Sequence, residues 1–304
     1  MNRLLSAALL WLACLALPVA AQEGAIVKTP HGALAGQVLD DGSRVFRGIP
    51  YAAPPVGAAR WGPPAPAADW AGTRDATRFG PACMQPASPA TGIYASELPA
   101  MSEDCLTLNI WTPKAARKAA VMVWLHGGSL VSGHGGSPFF DGARLAREGV
   151  IVVTLNYRLG IFGFLAHPGL SAESPHHVSG NYGLLDQVAA LKWVRGNIAA
   201  FGGDPDNVTI FGESAGALSV AYLLASPLAD GLFHKAIAQS SYLVPTPELK
   251  NRAYGMLSGE EIGLLVAEKL GAADIKAMRA IDVATLNALP SQGGAVPQAR
   301  VDGW

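Results

Sequence analysis

Short apolar runs of strand length alternate with helical patterns in the central part of the chain. Four runs predict strands, at residues 121–125, 150–155, 208–211 and 236–239. Between the second and third runs, apolar residues recur every three or four positions and predict a helix, at Leu184, Leu185, Val188, Leu191, Val194 and Ile198. A second helix is predicted over residues 215–225. This alternation indicates an α/β fold with a mostly parallel central sheet and helices on both faces.

The first 21 residues have the pattern of a secretory signal peptide. A charged start at Arg3 is followed by apolar residues 4–17 and by small residues that end at Ala21. Cleavage after Ala21 would leave residues 22–304 as part of a single domain, secreted or periplasmic and without a stable membrane anchor. The alternative is a transmembrane anchor over residues 4–21. Pro18 disfavours it, because proline suits the approach to a cleavage site better than a membrane exit.

Composition and charge exclude two classes of protein. Half of the 304 residues are hydrophobic and 15% are charged, whereas disordered chains are poor in apolar residues and rich in net charge. The 22 Lys and Arg residues nearly cancel the 23 Asp and Glu residues, which leaves a net charge of -1. Without a basic excess the chain lacks the usual electrostatic basis for binding phosphate backbones, so no nucleic-acid partner is expected.

Removal of the signal peptide would leave two cysteines, Cys83 and Cys105. In an oxidising compartment a single disulfide between them is the simplest interpretation. It would close a loop of about 22 residues and contribute on the order of 3 kcal/mol by restricting the unfolded chain. The alternative is a pair of buried, unpaired thiols.

The strongest chemical signal follows the third predicted strand. Gly212, Glu213, Ser214, Ala215 and Gly216 form a G-x-S-x-G sequence between a predicted strand and a predicted helix. In that context the turn is tight, the two glycines leave room for the backbone, and the serine hydroxyl points out of the sheet. The N–H groups of the following helix favour a developing negative charge. Ser214 is therefore the candidate nucleophile of an acyl-transfer site. Glu213 can tune the field beside it but cannot replace a general base.

A second glycine-rich segment follows the first predicted strand and should reach the same edge of the sheet. It reads His126, Gly127, Gly128, Ser129. An acyl-transfer site needs N–H donors aimed at the oxyanion, and the backbone N–H groups of Gly128, Ser129 and Ala215 are the candidates. His126 is interpreted as a residue that orients this loop. It precedes the serine, whereas the histidine of this kind of hydrolase follows it.

These motifs resemble those of type-B carboxylesterases, the family that includes cholinesterases and bacterial para-nitrobenzyl-type esterases. The similarity extends from about Gly24 to the last residue. It is carried by GIPYAAPPVG (48–57), SEDCLTLNI (102–110), HGG (126–128), NYR (156–158) and FGGDPDNVTIFGESAG (201–216). The resemblance implies an α/β-hydrolase fold and an ester substrate, with Ser214 as the nucleophile. It also implies an oxyanion hole lined by Gly128, Ser129 and Ala215, and a disulfide between Cys83 and Cys105.

One position departs from the family pattern. Three glycines most often follow the histidine, whereas the third position here is Ser129. Serine keeps the backbone N–H donor but adds a side chain near the acyl site. If the position requires a positive φ, serine costs of order 1 kcal/mol or more. We expect the serine to be tolerated, with an altered preference among ester substrates.

The acid and the histidine that this mechanism needs are not found after Ser214. The only histidine there is His234, and we expect it at the start of the last predicted strand, roughly 17–20 Å from Ser214 at the opposite edge of the sheet. Asp230 and His234 are therefore not expected to complete a triad.

The last eight residues resemble a family segment that precedes the loop with the catalytic glutamate. We expect the N-terminal portion of a longer enzyme, or a truncated gene product, with the C-terminal part of the fold missing. By itself it should be nearly inactive and prone to aggregate through its exposed flank.

The sequence thus predicts a secreted serine carboxylic ester hydrolase that acts on small-molecule esters through an acyl-enzyme. Two alternatives remain open. One is a non-catalytic binding module of the same fold, which has no use for an intact G-x-S-x-G turn. The other is a lipase or serine peptidase, which would differ in pocket and lid. His176 and His177 are adjacent and lack the spacing of metal ligands, so no metal or organic cofactor is expected.

Overall fold

The computed structural model describes residues 25–87, 97–242, 245–289 and 298–304, and the predicted signal peptide lies outside these residues. The strands are β1 Ile26–Thr29, β2 Gly32–Ala35, β3 Gln37–Val38, β4 Arg44–Pro50, β5 Thr73–Asp75, β6 Ala82–Cys83, β7 Met101–Ser102, β8 Thr107–Thr112, β9 Ala119–Leu125, β10 Ile151–Leu155, β11 Gly203–Glu213 and β12 Lys235–Gln239. The α-helices are α1 Ala143–Arg147, α2 Gly160–Phe164, α3 Pro168–Glu173, α4 Tyr182–Asn197, α5 Ala215–Ala225, α6 Gly259–Lys269, α7 Ile275–Ala280 and α8 Val283–Asn287. Among the described residues, no helix has the length and apolar character needed to cross a membrane.

The central sheet has the strand order β12-β11-β9-β10-β8-β4-β3. Its first four strands pair in parallel. The neighbours β10–β8, β8–β4 and β4–β3 pair antiparallel. β4 therefore runs in the same direction as the first four strands, and only β8 and β3 run against them. This arrangement confirms the predicted, mostly parallel sheet. Two small sheets, β1-β2-β5 and β6-β7, lie outside it.

The predicted strand at residues 208–211 is the middle of a longer strand. β11 begins at Gly203, which pairs with Ala119, and continues to Glu213. The register shifts between Gly203 and Val208, where the sequence is polar. The hydrophobic pattern missed this part because residues 204–207, with the sequence Asp-Pro-Asp-Asn, form a polar bulge between the pairs at Gly203 and Val208.

Two central strands, β4 and β8, were not predicted. In β8 the apolar run is interrupted by Asn109, which the hydrophobic pattern cannot distinguish from a loop residue. The Asn109 side chain is satisfied inside the protein, because its Oδ1 accepts from Gly48 N at 3.0 Å and its Nδ2 donates to Thr154 Oγ1 at 3.0 Å. A buried polar side chain with partners is compatible with a central strand.

Helices cover both faces of the sheet. α4 and α5 pack on one face, where they share the main core with the inward side chains of β9 and β11. That core includes Val121, Val123, Leu125, Val188, Leu191, Val208, Ile210, Val220 and Leu223. α1 packs on the other face against β8 and β10, through Ala146, Trp111 and Val152. The layered α/β arrangement expected from the sequence is confirmed.

The remaining helices enclose a second apolar cluster around Trp61, Leu165 and Met278. α6 begins with a capping box, in which the Ser258 hydroxyl accepts from Glu261 N and the Glu261 carboxylate accepts from Ser258 N. Glu261 also pairs with Arg252, with Nε and Oε1 2.7 Å apart. Glu261 therefore has a structural role at the start of α6.

The expected exposed flank lies at β12. All five residues of this strand are exposed, although Ile237 is apolar. β12 ends the central sheet, and no other strand of the described residues pairs with its outer side. Its free N–H and C=O groups are a template for further strand pairing.

Candidate active site

Ser214 lies in the turn between β11 and α5, as predicted. Its backbone has φ 54° and ψ -121°, a conformation that non-glycine residues rarely adopt. The turn is held at both ends, because Ser214 N donates to Gln239 O at 3.0 Å and Leu218 N donates to Ser214 O at 2.9 Å. Backbone strain of this kind costs about 1–3 kcal/mol and is concentrated at functional sites.

The two glycines of the turn are required by close backbone approach. A Cβ on Gly212 would lie 2.7 Å from the carbonyl oxygen of Leu125, and a Cβ on Gly216 would overlap the same oxygen. Leu125 ends β9, so the start of α5 rests directly on the neighbouring strand. This contact fixes where the first turn of α5, with Ala215, lies relative to the loop after β9.

The loop after β9 reaches the serine turn, as predicted. A Cβ on Gly127 would lie 2.8 Å from Glu213 O, 3.2 Å from a Glu213 carboxylate oxygen and 3.3 Å from Ser214 Cβ. Gly127 therefore packs against both the nucleophile candidate and the acidic residue beside it. The structure brings together the two segments that the sequence proposed as one site.

The conformation of Gly128 and Ser129 turns their backbone sharply. Gly128 has φ 104° and Ser129 has φ 56°. The carbonyl of Gly128 accepts from Val131 N and Ser132 N, both at 3.0 Å, which closes a compact turn. The condition stated for Ser129 is therefore met: the third position of the loop has a positive φ and carries a side chain.

Replacing Ser129 with glycine is expected to raise the free energy of unfolding by up to about 1 kcal/mol. A left-handed conformation costs a non-glycine residue about 1–2 kcal/mol, and the added freedom of glycine in the unfolded chain offsets about 0.5–1 kcal/mol. Urea denaturation measures the change. Lys118→Gly is a matched control, because Lys118 is exposed and has φ 49° outside this loop. Unlike Lys118→Gly, Ser129→Gly should also change the relative turnover of short and long acyl esters. An unchanged turnover profile would contradict a role of the Ser129 side chain in substrate preference.

His126 is a buried, neutral support of the same loop. It is 1% exposed and its ring stacks on Tyr157 with the centroids 4.3 Å apart. Burial lowers the pKa of His126 to about 4. Its Nδ1 lies 2.9 Å from Gly127 O, so Nδ1 carries the proton and donates to that carbonyl. Tyr157 Oη donates to His126 O at 2.7 Å. These contacts agree with the interpretation of His126 as a loop-orienting residue.

His234 and Ser214 lie at opposite ends of the parallel strands. The backbone N of His234 donates to Val208 O at 2.8 Å, and its Nδ1 accepts from Val208 N at 3.1 Å. Val208 precedes Ser214 by six residues along β11, which corresponds to about 20 Å. Asp230 precedes His234 in the sequence and lies on an exposed turn. The geometry agrees with the sequence argument that this pair does not serve Ser214.

The other predicted features around the site are placed as follows. His176 is exposed and stacks on Trp304, with the ring centroids 4.3 Å apart. In the part of the chain that the structure describes, no histidine hydrogen-bonds to Ser214, and no group of His, Cys, Asp and Glu is arranged to hold a metal ion. Cys83 and Cys105 form the expected disulfide.

Sequence reasoning missed two residues that support the loop. Gln85 and Asn156 are buried, and their side-chain amides bind the backbone at Gly133 and Gly135. Asn156 lies in the NYR motif, which contributed to the family resemblance but did not indicate what the asparagine does. Gln85 gave no signal, because nothing in its local sequence indicates that it contacts a loop 48 residues away.

Comparison with known proteins agrees with this geometry. The family model described as "Carboxylesterase family" matches residues 23–288. The chain is 52% identical over 254 residues to the fumonisin B1 esterase of Sphingopyxis macrogoltabida, a match that covers 81% of this chain and 46% of that protein. It is 54% identical over 217 residues to the para-nitrobenzyl esterase of Bacillus subtilis (strain 168), which covers 71% of this chain and 43% of that protein.

Solved structures give the same result. A PNB esterase superposes with a TM-score of 0.77 at 44% identity, over 86% of this chain and 52% of that one. A carboxylesterase of Geobacillus stearothermophilus superposes with a TM-score of 0.74 at 41% identity, over 90% of this chain and 55% of that one. The fold is thus that of the α/β-hydrolases. The chain spans about half the length of the relatives that it matches.

Proposed function

The chain belongs to the carboxylesterase family, and we propose that it carries the nucleophile and oxyanion hole of a serine carboxylic ester hydrolase. The observation that carries the proposal is the backbone of Ser214, held at φ 54° between β11 and α5 and in contact with Gly127. A strained turn of this kind is maintained against its cost of about 1–3 kcal/mol, which is expected where it serves the chemistry.

The proposed reaction is a two-step acyl transfer. Ser214 Oγ attacks the ester carbonyl and loses its proton to a general base. The tetrahedral oxyanion accepts hydrogen bonds from the backbone N–H groups of Gly128, Ser129 and Ala215. The C–O bond to the alcohol then breaks, the alcohol takes the proton, and an acyl-enzyme remains. Water attacks this ester by the same route and releases the carboxylic acid and Ser214.

We propose that the general base and its orienting acid come from residues that follow Trp304 in the whole gene product. Two observations support this. The relatives are about twice as long as the part that this chain matches, and His234 lies about 20 Å from Ser214 by the length of β11. The 304-residue chain would then keep only the residual rate that binding and oxyanion stabilisation provide.

The proposed substrates are small-molecule esters, and the proposed location is outside the cytoplasm. The relatives named above are esterases, which supports the substrate class. The sequence of residues 1–21 supports secretion or export to a periplasm. The Cys83–Cys105 disulfide fits an oxidising compartment.

A fluorophosphonate probe tests the proposal on the polypeptide encoded by the whole gene. The probe should label one residue, Ser214, found by mass spectrometry of the labelled peptide, and the same protein should hydrolyse para-nitrophenyl acetate. Ser214→Ala should remove both the label and the turnover. A folded, full-length protein that stays unlabelled and inactive would favour a binding module of the same fold.

The 304-residue chain, treated in parallel, tests the position of the base. It should react with the probe at least about 1,000-fold more slowly, because removal of one triad member leaves only a small residual catalysis. Equal labelling rates of the two polypeptides would show that the base lies within residues 1–304.

A further inference from the structure

Two buried amide side chains hold the segment that follows the candidate oxyanion loop. Gln85 is 4% exposed and pairs with both backbone groups of Gly133: its Nε2 donates to Gly133 O at 2.9 Å, and Gly133 N donates to its Oε1 at 2.8 Å. Asn156 holds the next turn, because its Oδ1 accepts from Gly135 N at 2.8 Å. Each amide therefore replaces a backbone partner that this segment would otherwise lack.

The same two amides are connected to the two halves of the disulfide. Gln85 Nε2 also donates to Cys83 O at 3.0 Å. Asn156 Nδ2 donates to Cys105 O at 3.2 Å and to Pro81 O at 2.9 Å. The Cys83–Cys105 bond thus ties together the two backbone segments on which the amides are anchored. We call the two amide side chains, Gln85 and Asn156, the clamp. The disulfide connects the two segments from which the clamp holds the loop.

Gly133 transmits this position to the oxyanion loop by direct contact. A Cβ at Gly133 would overlap the Nδ1 of His126 and lie 2.8 Å from Gly127 O. The Gly128 carbonyl accepts from Ser132 N at 3.0 Å, so the turn from Gly128 to Gly133 is one compact unit. Displacement of Gly133 would therefore move Gly128 and the residue after it.

We propose that Gln85 is a positioning residue for ester hydrolysis: by pairing with Gly133 it sets the backbone N–H groups of Gly128 and Ser129 at the oxyanion. The proposal rests on the proposed function and adds a residue that does not touch the substrate. The side chain is suited to the task because it offers one acceptor and two donors, and all of the groups that it meets are backbone amides.

Gln85→Glu removes the donors and keeps the size of the side chain. The carboxylate can still accept from Gly133 N, but it faces the carbonyl oxygens of Gly133 and Cys83, which repel it. In the polypeptide encoded by the whole gene we expect kcat for para-nitrophenyl acetate to fall about 10- to 100-fold, with KM changed by less than about threefold. A trifluoromethyl ketone forms an adduct with Ser214 that carries an oxyanion. Its inhibition constant should rise by the same factor by which kcat/KM falls.

The measurement must separate position from folding. Active sites are counted by complete titration with a fluorophosphonate, and kcat is expressed per titrated site. Gln85→Met, which removes every hydrogen bond at nearly the same volume, should give a similar loss per site. Asn197→Asp is the matched control: Asn197 is 5% exposed and its amide donates to Trp193 O at 2.9 Å. It ends α4 and precedes β11, whereas Ser214 follows the other end of that strand. It should keep the wild-type kcat per site even if it lowers the melting temperature.

Two results would overturn the proposal. One is a Gln85→Glu protein with wild-type kcat per titrated site, which would mean that the clamp is structural only. The other is a fall in kcat without a matching change in ketone affinity. If the wild type itself neither labels nor turns over ester, the proposed function fails, and this proposal fails with it; that outcome is recognised before any variant is compared.

Discussion

Replacement of Asp186 by asparagine is expected to lower the free energy of unfolding by about 3–5 kcal/mol. Asp186 is completely buried and accepts three hydrogen bonds from Arg158: from its Nε at 2.8 Å, its Nη2 at 2.7 Å and its backbone N at 3.0 Å. The pair connects the start of α4 with the segment after β10. Removing the charge of one partner leaves the Arg158 guanidinium buried without compensation, which is the costly case for buried ion pairs.

The electrostatics of Arg158 agree with this expectation. Burial by itself would lower the pKa of Arg158, but the attraction and hydrogen bonds of Asp186 outweigh burial and raise it above its ordinary value. The guanidinium also donates from Nη1 to Gly62 O at 2.8 Å. The positive charge is thus held in place by the rest of the fold and cannot turn to solvent when Asp186 is changed.

An exposed pair of similar geometry provides the control. Arg279 and Glu173 also form two hydrogen bonds, at 2.9 and 2.8 Å, but the Glu173 side chain is 51% exposed. Glu173→Gln should cost no more than about 1 kcal/mol, because water solvates the charge that remains. Urea denaturation followed by tryptophan fluorescence measures both variants. Equal losses for Asp186→Asn and Glu173→Gln would contradict the argument from burial.

A double variant tests the mechanism further. Arg158→Met with Asp186→Leu removes both charges and should be more stable than Asp186→Asn alone, since no unpaired charge is left inside. A double variant that is less stable than the single one would show that packing or the backbone contact to Asp186 dominates.

The sequence predicted the part of the fold in which side-chain pattern and secondary structure coincide. β9 and β10 were predicted from apolar runs, and α4 and α5 from helical patterns, because their apolar residues are buried in the core. β8 was missed because Asn109 is buried and hydrogen-bonded within a strand. The first part of β11 was missed because residues 204–207 are polar or proline and form a bulge between the pairs at Gly203 and Val208. Both failures have the same cause: a polar residue within a strand interrupts the hydrophobic pattern, although the strand continues past it.

The candidate site also has a part that the sequence predicted and a part that it did not. The serine turn and the loop after β9 are local motifs, and parallel strands bring their ends to one edge of the sheet, so their proximity followed from the fold class. The clamp at Gly133 could not be predicted. Gln85 and Asn156 meet the loop only through long-range contacts, across 48 and 21 residues of sequence. A single sequence gives no measure of such contacts, because an isolated amide has no periodicity and no fixed spacing from its partner.

Acidification from pH 7 to pH 4 is expected to destabilise the wild type by about 3 kcal/mol more than a His126→Gln variant. The pKa of His126 is about 4 in the folded protein, chiefly because of burial, and about 6.5 in the unfolded chain. The unfolded state therefore binds the proton first. The stability that neutral His126 contributes is complete above pH 6.5, falls as the pH drops below that value, and is lost at about pH 4.

Unfolding free energies of both proteins between pH 8 and pH 4 measure the effect. Asp41, Asp75 and Glu261 also have pKa values lowered by hydrogen bonds, so both proteins should lose stability in acid. These shared contributions cancel in the difference between wild type and variant. Glutamine can keep a donor for Gly127 O and does not titrate, so the difference reports His126 alone. A difference that stays constant across this pH range would mean that His126 is accessible to protons in the folded state, and that the loop it supports opens readily.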